Sequence, residues 1–289
     1  MGRVQLVLVL DGRLVGAAVK ARVMERVKAL KAKGVTPCLA TVLVGDNLAS
    51  QTYLKIKHKT CAELGVESKH HHLPESASQQ EVLALIEKLN DDNEVTAVLV
   101  QLPLPRHLNT EVVCNAIAPG KDVDCVNAQN IGLLVGGTPL VEPCTPKGIM
   151  TLLDHYKVTL AGKNAVIVNR SNIVGKPLAH LLLKRDATVT ICHSKTRDLE
   201  KVMASADVLV AATGKAGFVK KEMVKEGAVV VDVGIVKDSQ GRLRGDVDYE
   251  DVKEKAGAIT PVPRGVGPMT IASLFENVVV LAEKGKGKN

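Results

Sequence analysis

One lysine stands on an otherwise apolar face of a predicted helix between Ser50 and Leu64. The face is formed by residues three and four positions apart, namely Tyr53, Ile56, Lys57, Thr60, Cys61 and Leu64. A lysine among apolar side chains is desolvated, which favours its neutral amine and lowers its pKa. Because a neutral amine accepts protons, Lys57 is a candidate catalytic base, with Tyr53 one turn away. The alternative is a lysine whose stem packs while its charged end reaches water.

Three polar or constrained segments stand where an α/β protein places its ligands. Gln101 directly follows the predicted buried strand 95–100, and ligands bind at the carboxyl ends of such strands. Asp124 ends a Lys-Asp-Val-Asp loop that follows Pro119 and can aim a carboxylate into a cleft. The turn 261–268 holds three prolines and two glycines in eight residues. Taken alone, each segment is also compatible with an ordinary turn or a tight connection.

The sequence from Ala165 to Pro177 changes from an apolar β-branched run to a polar turn and then to a helix. Residues 165–168 are continuously apolar, which is typical of a parallel strand buried on both faces. The turn, 169–175, leads into a helix N-terminus, whose unpaired N–H groups and partial positive charge suit a pyrophosphate. Its spacing is not G-x-G-x-x-G, because Asn169 takes the place of the first glycine.

The residues after the next predicted strand, 188–192, indicate which cofactor is preferred. An NAD enzyme places Asp or Glu there, about twenty residues beyond the first turn, on the ribose 2′-hydroxyl. This chain has His193-Ser194-Lys195 instead, and Arg170, Ser194 and Lys195 can hold a 2′-phosphate by charge-assisted hydrogen bonds. The pattern favours NADP over NAD. The alternative is an ordinary βα unit with a surface arginine.

Alternating strands and helices must position these residues. The 289 residues are enough for one large or two ordinary domains, and a core with only 2% aromatic residues must consist of Val, Leu, Ile and Ala. The predicted strands are a first strand before Asp11, then 38–44, 66 onward, 95–100, 165–168, 188–192, 207–212, 228–233 and 259–263. The predicted helices are 15–33, 50–64, 80–89, a short one from Thr110, 145–155 and 269–284, with Ser50, Thr110 and Thr145 as N-caps. This alternation predicts an α/β fold with parallel sheets.

The remaining features limit the classes of partner. The net charge of +7 suits nucleic acid, a membrane surface or small polyanionic ligands, but so few aromatic residues argue against base stacking. No stretch approaches the length needed to span a bilayer, the apolar start is too short for a signal peptide, and the tail 284–289 is expected to be frayed. Six cysteines without C-x-x-C spacing indicate reduced thiols of a cytoplasmic protein. Residues 70–72 are consecutive histidines that alternate between faces, so we expect no metal.

Six motifs occur in order along nearly the whole chain. They are Tyr53-Leu-Lys-Ile-Lys57, Val100-Gln-Leu-Pro-Leu104, Lys121-Asp-Val-Asp124, Thr145-Pro-Lys-Gly148, Arg170-Ser-Asn-Ile-Val-Gly-Lys-Pro177 and Gly265-Val-Gly-Pro-Met-Thr270. Together they closely resemble the bifunctional methylenetetrahydrofolate dehydrogenase/methenyltetrahydrofolate cyclohydrolase family. The resemblance implies a folate-binding catalytic domain of residues 1–144 and 268–289 and a Rossmann-type NADP-binding domain of residues 145–267. It also implies a folate cleft between them, a C-terminal helix that returns to the first domain, and a homodimer built through the cofactor domain.

The same resemblance implies an enzyme that oxidises 5,10-methylenetetrahydrofolate with NADP and hydrolyses the resulting 5,10-methenyltetrahydrofolate to 10-formyltetrahydrofolate. Lys57 matches the lysine of the hydrolytic step, Gln101 the glutamine that adjusts it, Tyr53 the tyrosine that orients folate, and Asp124 the carboxylate that binds the pterin. The substrate is also expected to contact Pro263, Gly265 and Gly267. The implied cofactor residues are Arg170, Ser171, Ile173, His193, Ser194, Thr213, Gly214, Gly234 and Ile235. The positive charge then suits NADP and a polyglutamylated folate.

Three residues replace glycines of the family motifs, namely Cys125, Asn169 and Arg264. We expect them to affect folate affinity and the dehydrogenase rate more than the fold, because Arg264 puts a long side chain where close approach to the substrates is expected. One alternative is a monofunctional cyclohydrolase with impaired dehydrogenase activity. Another is a non-catalytic folate- or nucleotide-binding protein, and a third, which we do not expect, is a nucleic-acid-binding module.

Overall fold

Helices and strands alternate along the chain, as the apolar periodicity predicts. This computed structural model describes residues 7–238 and 240–285. The helices are α1 (Gly12–Ala32), α2 (Leu48–Leu64), α3 (Gln79–Asp91), α4 (Thr110–Ala116), α5 (Ala128–Val135), α6 (Cys144–His155), α7 (Gly175–Leu183), α8 (Leu199–Ala204), α9 (Tyr249–Val252) and α10 (Val266–Gly285). The strands are β1 (Leu8–Val9), β2 (Cys38–Val44), β3 (Glu67–Leu73), β4 (Ala97–Val100), β5 (Asn164–Val168), β6 (Thr188–Cys192), β7 (Val208–Ala211), β8 (Val229–Asp232), β9 (Val236–Lys237), β10 (Leu243–Arg244) and β11 (Ala258–Ile259).

The described residues form two compact units. The first unit contains residues 18–144 and 273–285, and the second contains residues 7–17 and 145–272. These limits differ from the predicted domain limits at residues 7–17, because β1 pairs in parallel with β11 in the sheet of the second unit. Residues 268–272 also group with the second unit.

The first unit is built on three parallel strands in the order β3-β2-β4. β2 and β4 are buried along their whole length, which explains why their sequences are continuously apolar. β3 is an edge strand with exposed positions, so its sequence is polar. A parallel bridge between Val98 and Asp122 continues the sheet beyond β4. The C-terminal helix returns to this unit, as expected, because the Asn277 side-chain amide donates to the carbonyl oxygens of Val123 (2.9 Å) and Glu142 (2.7 Å).

The second unit contains a six-stranded parallel sheet in the order β1-β11-β8-β7-β5-β6. The chain leaves β5 for β6 on one side and then continues at β7 on the other, so the strand order reverses between β5 and β7. In doubly wound sheets, ligands bind at the carboxyl ends of the strands at this reversal. The inner strands contribute apolar side chains such as Val166, Leu209 and Val230 to the core. The predicted α/β class with a parallel sheet is confirmed.

All three predicted N-caps are wrong, and Thr145 lies inside α6, which begins at Cys144. The side chain of Asn47, not Ser50, caps α2 by accepting a hydrogen bond from the Ser50 backbone N–H at 3.0 Å. The side chain of Asn109, not Thr110, caps α4 by accepting from two backbone N–H groups. Both asparagines and the predicted caps are residues that favour this position, so the sequence alone does not separate them.

The buried face of α2 differs from the predicted one at two positions, because Leu54 is buried and Ile56 is exposed. Leu54, Lys57, Cys61 and Leu64 are each at most 8% exposed, whereas Ile56 is 46% exposed. Ile56 precedes Lys57 and so lies about 100° around the helix from it. The inward position predicted for Ile56 is therefore wrong, while that of Lys57 is confirmed.

The end of the chain differs from prediction in three ways. The last strand covers only Ala258–Ile259, and α10 begins at Val266, three residues before the predicted start. Contrary to the expectation from sequence, α10 is long and apolar enough to cross a membrane, but 67% of its most apolar window is buried inside the protein. Residues 286–289 of the predicted frayed tail, and residues 1–6 of the predicted first strand, lie outside the described residues.

Candidate active site

The Lys57 side chain is buried in the first unit and bonded to Gln101. It is 8% exposed, and its Nζ donates to Gln101 Oε1 at 2.8 Å. Burial lowers the pKa of Lys57, and the nearby Asp124 and Cys144 oppose that shift only in part. The predicted alternative, an ammonium group that reaches water, does not fit this burial.

Gln101 is fixed so that its amide oxygen faces Lys57. The Gln101 backbone N–H donates to the carbonyl of Val42 at 2.8 Å, which ties the end of β4 to β2. Its side-chain Nε2 donates to the carbonyl of Leu102 at 2.9 Å. Because a nitrogen must face that carbonyl, the oxygen is the amide atom that remains for Lys57.

The side chains of Asp122 and Asp124, two residues apart, form different contacts. Asp122 is fully buried and accepts hydrogen bonds from the backbone N–H groups of Val126 (3.1 Å) and Asn127 (2.9 Å), so it shapes the loop. Asp124 accepts the backbone N–H of Cys144 at 2.8 Å. Burial raises the pKa of Asp124, and the positive charge of Lys57 opposes this shift.

The three groups form a site suited to proton transfer. Burial lowers the pKa of the Lys57 amine and raises the pKa of the Asp124 carboxyl group, so both pKa values move towards neutral pH. Tyr53 lies one turn before Lys57 on α2, and burial raises its pKa, which keeps the hydroxyl a donor. Strand ends position this set, since Gln101 follows β4 and Asp124 lies two residues beyond the bridge at Asp122.

In the second unit, the turn between β5 and α7 is built around the side chain of Asn169. Its Oδ1 accepts from the Ser171 backbone N–H (2.8 Å), the Ser171 hydroxyl (2.7 Å) and the Gly175 backbone N–H (3.0 Å). Its Nδ2 donates to the carbonyl of Ala212 at 2.6 Å, which joins the turn to the end of β7. A Cβ at Gly175 would lie 2.1 Å from the Asn169 carbonyl oxygen, so glycine is required there. Asn169 thus organises the turn with its side chain.

The other predicted cofactor residues also follow the carboxyl ends of strands in the six-stranded sheet of the second unit. Thr213 and Gly214 follow β7, Gly234 and Ile235 follow β8, and His193 and Ser194 follow β6. Ile173 is 37% exposed and Ile235 is 41% exposed. Gly214 has a φ of +69°, and no atom lies within 4 Å of where its Cβ would be. The exposed Arg170, Ser194 and Lys195, with no carboxylate at 193–195, fit a dinucleotide that carries a 2′-phosphate.

The turn 261–268 is tightly packed, and it also belongs to the second unit. A Cβ at Gly265 would lie 2.5 Å from the Pro261 carbonyl oxygen, and a Cβ at Gly267 would lie 3.5 Å from the Ile235 side chain. The predicted substrate residue Gly267 is therefore close to the predicted cofactor residue Ile235. Arg264 is exposed and has a φ of +90°.

Two of the three glycine replacements keep a backbone that favours glycine. Cys125 has a φ of +54° and Arg264 a φ of +90°, both in the left-handed region that favours glycine. Asn169 does not have a positive φ, so a left-handed backbone does not explain it. Its hydrogen bonds explain its presence instead.

Sequence reasoning missed several residues of these sites. Cys144 is buried beside Asp124 and Lys57, and Asp232 and Asp246 bind the loops after β7 and β8. Their partners are distant in sequence, so no local pattern shows the contact. Among the described residues, no cluster of three or more His, Cys, Asp or Glu could hold a metal ion. The six cysteines are buried and form no disulfide.

Comparisons with known proteins agree with this geometry. Residues 10–124 match the family described as tetrahydrofolate dehydrogenase/cyclohydrolase, catalytic domain, and residues 143–286 match its NAD(P)-binding domain. The bifunctional protein FolD of Campylobacter curvus (strain 525.92) is 53% identical over 281 residues, which are 97% of each chain. The FolD dehydrogenase/cyclohydrolase structure from Campylobacter jejuni has a TM-score of 0.94 and 48% identity, covering 96% of this chain and 99% of its own. The Trypanosoma brucei FolD structure, complexed with NADP cofactor and inhibitor, has a TM-score of 0.93 and 36% identity over 97% and 98% of the two chains.

Proposed function

Because the chain belongs to the tetrahydrofolate dehydrogenase/cyclohydrolase family, we propose that it is a bifunctional one-carbon folate enzyme. It oxidises 5,10-methylenetetrahydrofolate with NADP and hydrolyses 5,10-methenyltetrahydrofolate to 10-formyltetrahydrofolate. The observation that carries the proposal is the buried Lys57 amine bonded to Gln101 in a chain that also has a dinucleotide-binding edge in its second unit. The intact Lys57 site and the Asn169-built turn argue against a protein with only one of the two activities.

In the hydrolytic step, Lys57 acts as the general base. Water adds to the methenyl carbon and loses one proton to the neutral Lys57 amine. The bond from that carbon to N5 then breaks, N5 takes the proton of the new hydroxyl, and the carbon keeps its oxygen as the formyl group on N10. The Lys57 ammonium group returns its proton to solvent. Burial favours the neutral amine before the step, and Gln101 Oε1 accepts from the ammonium group after it.

Tyr53 and Asp124 orient the substrate beside that amine. We assign Asp124 to the pterin, because a carboxyl group can hold the N–H groups of that ring and its own position is fixed by the Cys144 backbone. Tyr53 presents a partly buried ring and a protonated hydroxyl on the same helix as Lys57. We also assign Pro263, Gly265 and Gly267 to the substrate, since Gly267 lies close to the cofactor residue Ile235.

In the oxidation, the nicotinamide ring supplies the hydride acceptor when NADP is bound. The residues that hold the dinucleotide are those of the second unit's sheet edge. The turn 169–175, which has no acidic side chain and leads into the positive end of the α7 dipole, receives the pyrophosphate, with Ser171 and Ile173 beside it. Arg170, Ser194 and Lys195 hold the 2′-phosphate, with His193 next to them in the chain. Thr213, Gly214, Gly234 and Ile235 line the nicotinamide half. The first unit thus holds the catalytic residues, and the second holds the NADP residues together with the substrate residues of the turn 261–268.

A homodimer through the second unit follows from the resemblance and from one surface feature. β6 is an edge strand of the six-stranded sheet, its Ile191 is 38% exposed, and Leu183 at the end of α7 is 60% exposed. An edge strand offers unpaired backbone groups to a second copy. Sedimentation equilibrium of the full chain, which should give twice the mass of one chain, measures this directly.

We further propose a cytoplasmic enzyme that acts on polyglutamylated folates without a nucleic-acid or membrane partner. The excess of positive charge favours a polyanionic glutamate tail, and buried thiols suit a reducing compartment. Comparing KM for mono- and polyglutamylated substrate tests the first point, because a tail that contributes nothing leaves KM unchanged. Cell fractionation and salt-dependent binding to DNA, RNA and vesicles test the others.

The proposed function is tested with Lys57→Met and two separate assays. We expect the wild type to reduce NADP with methylenetetrahydrofolate and to hydrolyse methenyltetrahydrofolate. Loss of the general base should slow hydrolysis by about 10²–10⁴-fold while folate still binds. Lys55→Met is the matched control, because Lys55 lies on the same helix but is exposed. Equal hydrolysis rates in Lys57→Met and wild type would contradict the proposal.

A further inference from the structure

Two buried carboxylates lie behind the cofactor loops, and the reaction described above does not use them. Asp246 is fully buried and Asp232 is 3% exposed, although neither forms an ion pair among the described residues. A buried carboxylate without a cation must be satisfied by hydrogen-bond donors. In both residues the donors are backbone N–H groups of the loops that follow β7 and β8.

Asp246 binds three consecutive residues of the loop after β7. Its Oδ2 accepts from the backbone N–H groups of Thr213 and, at 3.2 Å, of Gly214. Its Oδ1 accepts from the backbone N–H of Lys215 at 2.9 Å. Successive N–H groups that converge on one point form an anion-binding concavity. In this loop the concavity is filled by a side chain of the protein itself.

Asp232 ends β8 and holds Asp246 in turn. Its Oδ1 accepts from the backbone N–H groups of Asp246 and Gly234, both at 2.9 Å, and its Oδ2 accepts from that of Val247 at 2.9 Å. The fit leaves room only for glycine at the contact points. A Cβ at Gly234 would lie 2.2 Å from Asp246 Oδ1, and a Cβ at Gly245 would lie 1.8 Å from Asp232 Oδ2.

We propose that Asp246, supported by Asp232, is a positioning residue for NADP that fixes the loop 213–215 in its binding conformation. The inference rests on the proposed function, which assigns Thr213 and Gly214 to the cofactor. Because Asp246 occupies the N–H groups of this loop, they are not available to a phosphate, and its negative charge disfavours one there. The loop therefore faces the nicotinamide riboside, which carries no phosphate, through the Thr213 side chain and the open side of Gly214, while the phosphates bind at the turn 169–175.

Asp246→Asn in the full-length enzyme tests this proposal. The amide keeps the shape of the side chain but offers one acceptor oxygen, so its NH₂ group faces at least one backbone N–H of the loop. We expect the NADP dissociation constant, measured by calorimetry, to rise about tenfold or more, since a charge-assisted hydrogen bond is worth about 1.5–3 kcal/mol. KM for NADP should rise more than kcat falls. In the absence of NADP, amide hydrogen exchange at residues 213–215 should be faster in Asp246→Asn than in the wild type.

Asp207→Asn is the matched control. Asp207 also accepts a backbone N–H, that of Asn164 at 2.9 Å, but it precedes β7 and so lies at the opposite edge of the sheet. The Asp207→Asn substitution should lower the free energy of unfolding without changing the NADP affinity. If Asp246→Asn does not fold, Asp246→Glu keeps the charge and should show a weaker form of the same changes.

The outcomes separate this inference from the function on which it rests. A wild type that binds no NADP refutes the proposed function. A wild type that binds NADP, together with Asp246 variants of unchanged NADP affinity and unchanged exchange at 213–215, overturns the role of Asp246 alone. Equal losses of NADP affinity in Asp246→Asn and Asp207→Asn would also overturn it, because they would show a general effect of lost stability.

Discussion

Replacing Asn169 with alanine should loosen the turn that receives the pyrophosphate. The change removes four hydrogen bonds, three accepted by Oδ1 and one donated to the Ala212 carbonyl. Each such bond contributes about 1 kcal/mol net to stability. The partly buried Ser171 can replace its two lost bonds with hydrogen bonds to water. We therefore expect the free energy of unfolding to fall by about 2–4 kcal/mol. The N–H of the buried Gly175 accounts for the largest share, because it loses its acceptor.

The assay combines urea unfolding with NADP titration. Asn169→Ala should bind NADP at least about tenfold more weakly, since a disordered turn must be ordered on binding. Asn169→Asp keeps the acceptor oxygens but adds a negative charge beside the pyrophosphate, so it should weaken NADP binding with a smaller loss of stability. Asn172→Ala is the control, because this exposed residue of the same turn accepts a hydrogen bond from the Lys176 side chain and, among the described residues, from no backbone N–H group. An Asn169→Ala protein within about 0.5 kcal/mol of wild type, with unchanged NADP affinity, would refute the reasoning.

Two further predictions concern stability. Burial raises the pKa of Asp232 from 3.8 to about 7, so between these values the folded protein binds more protons than the unfolded chain, and the free energy of unfolding should rise as pH falls from 8 towards 5. The contribution of Asp232 to this pH dependence is at most about 1.4 kcal/mol per pH unit, and it should be absent when Asp232→Asn is unfolded with urea. If the free energy of unfolding changes equally with pH in the variant and the wild type, the prediction is contradicted. Arg264 has a φ of +90°, so Arg264→Gly should be more stable than Arg264→Ala by about 1 kcal/mol, because only glycine relieves the strain. An alanine variant as stable as the glycine variant in the same assay would count against strain at this position.

The sequence predicts the parts of the fold that depend on local patterns. β2, β4 and β5 follow from continuously apolar runs, and the three- and four-residue spacing along α2 predicts that Lys57 faces inward. The same spacing misplaced Ile56, because a helical stripe tolerates a shift of one residue at its border. Pairing of β1 with β11 joins segments about 250 residues apart, and no local pattern specifies it.

The candidate sites were predictable to a similar extent. Gln101 follows a buried strand, so its place beside Lys57 was open to inference. The role of Asn169 was not, because its partner Ala212 lies 43 residues away and the fingerprint treats the position only as a missing glycine. Asp246 meets Thr213 across 33 residues for the same reason. Side-chain bonds to distant backbone are set by the fold and become visible only with it.

Titration of the Lys57 side chain by NMR tests the central claim most directly, with Lys57→Met used to assign the signal. Burial places its pKa below the ordinary lysine value of 10.5, so the amine should lose its proton below that value. Hydrolysis of methenyltetrahydrofolate should rise with pH over the same range, because the neutral amine is the active form. A midpoint at or above 10.5, or hydrolysis that does not follow the titration, would contradict the account.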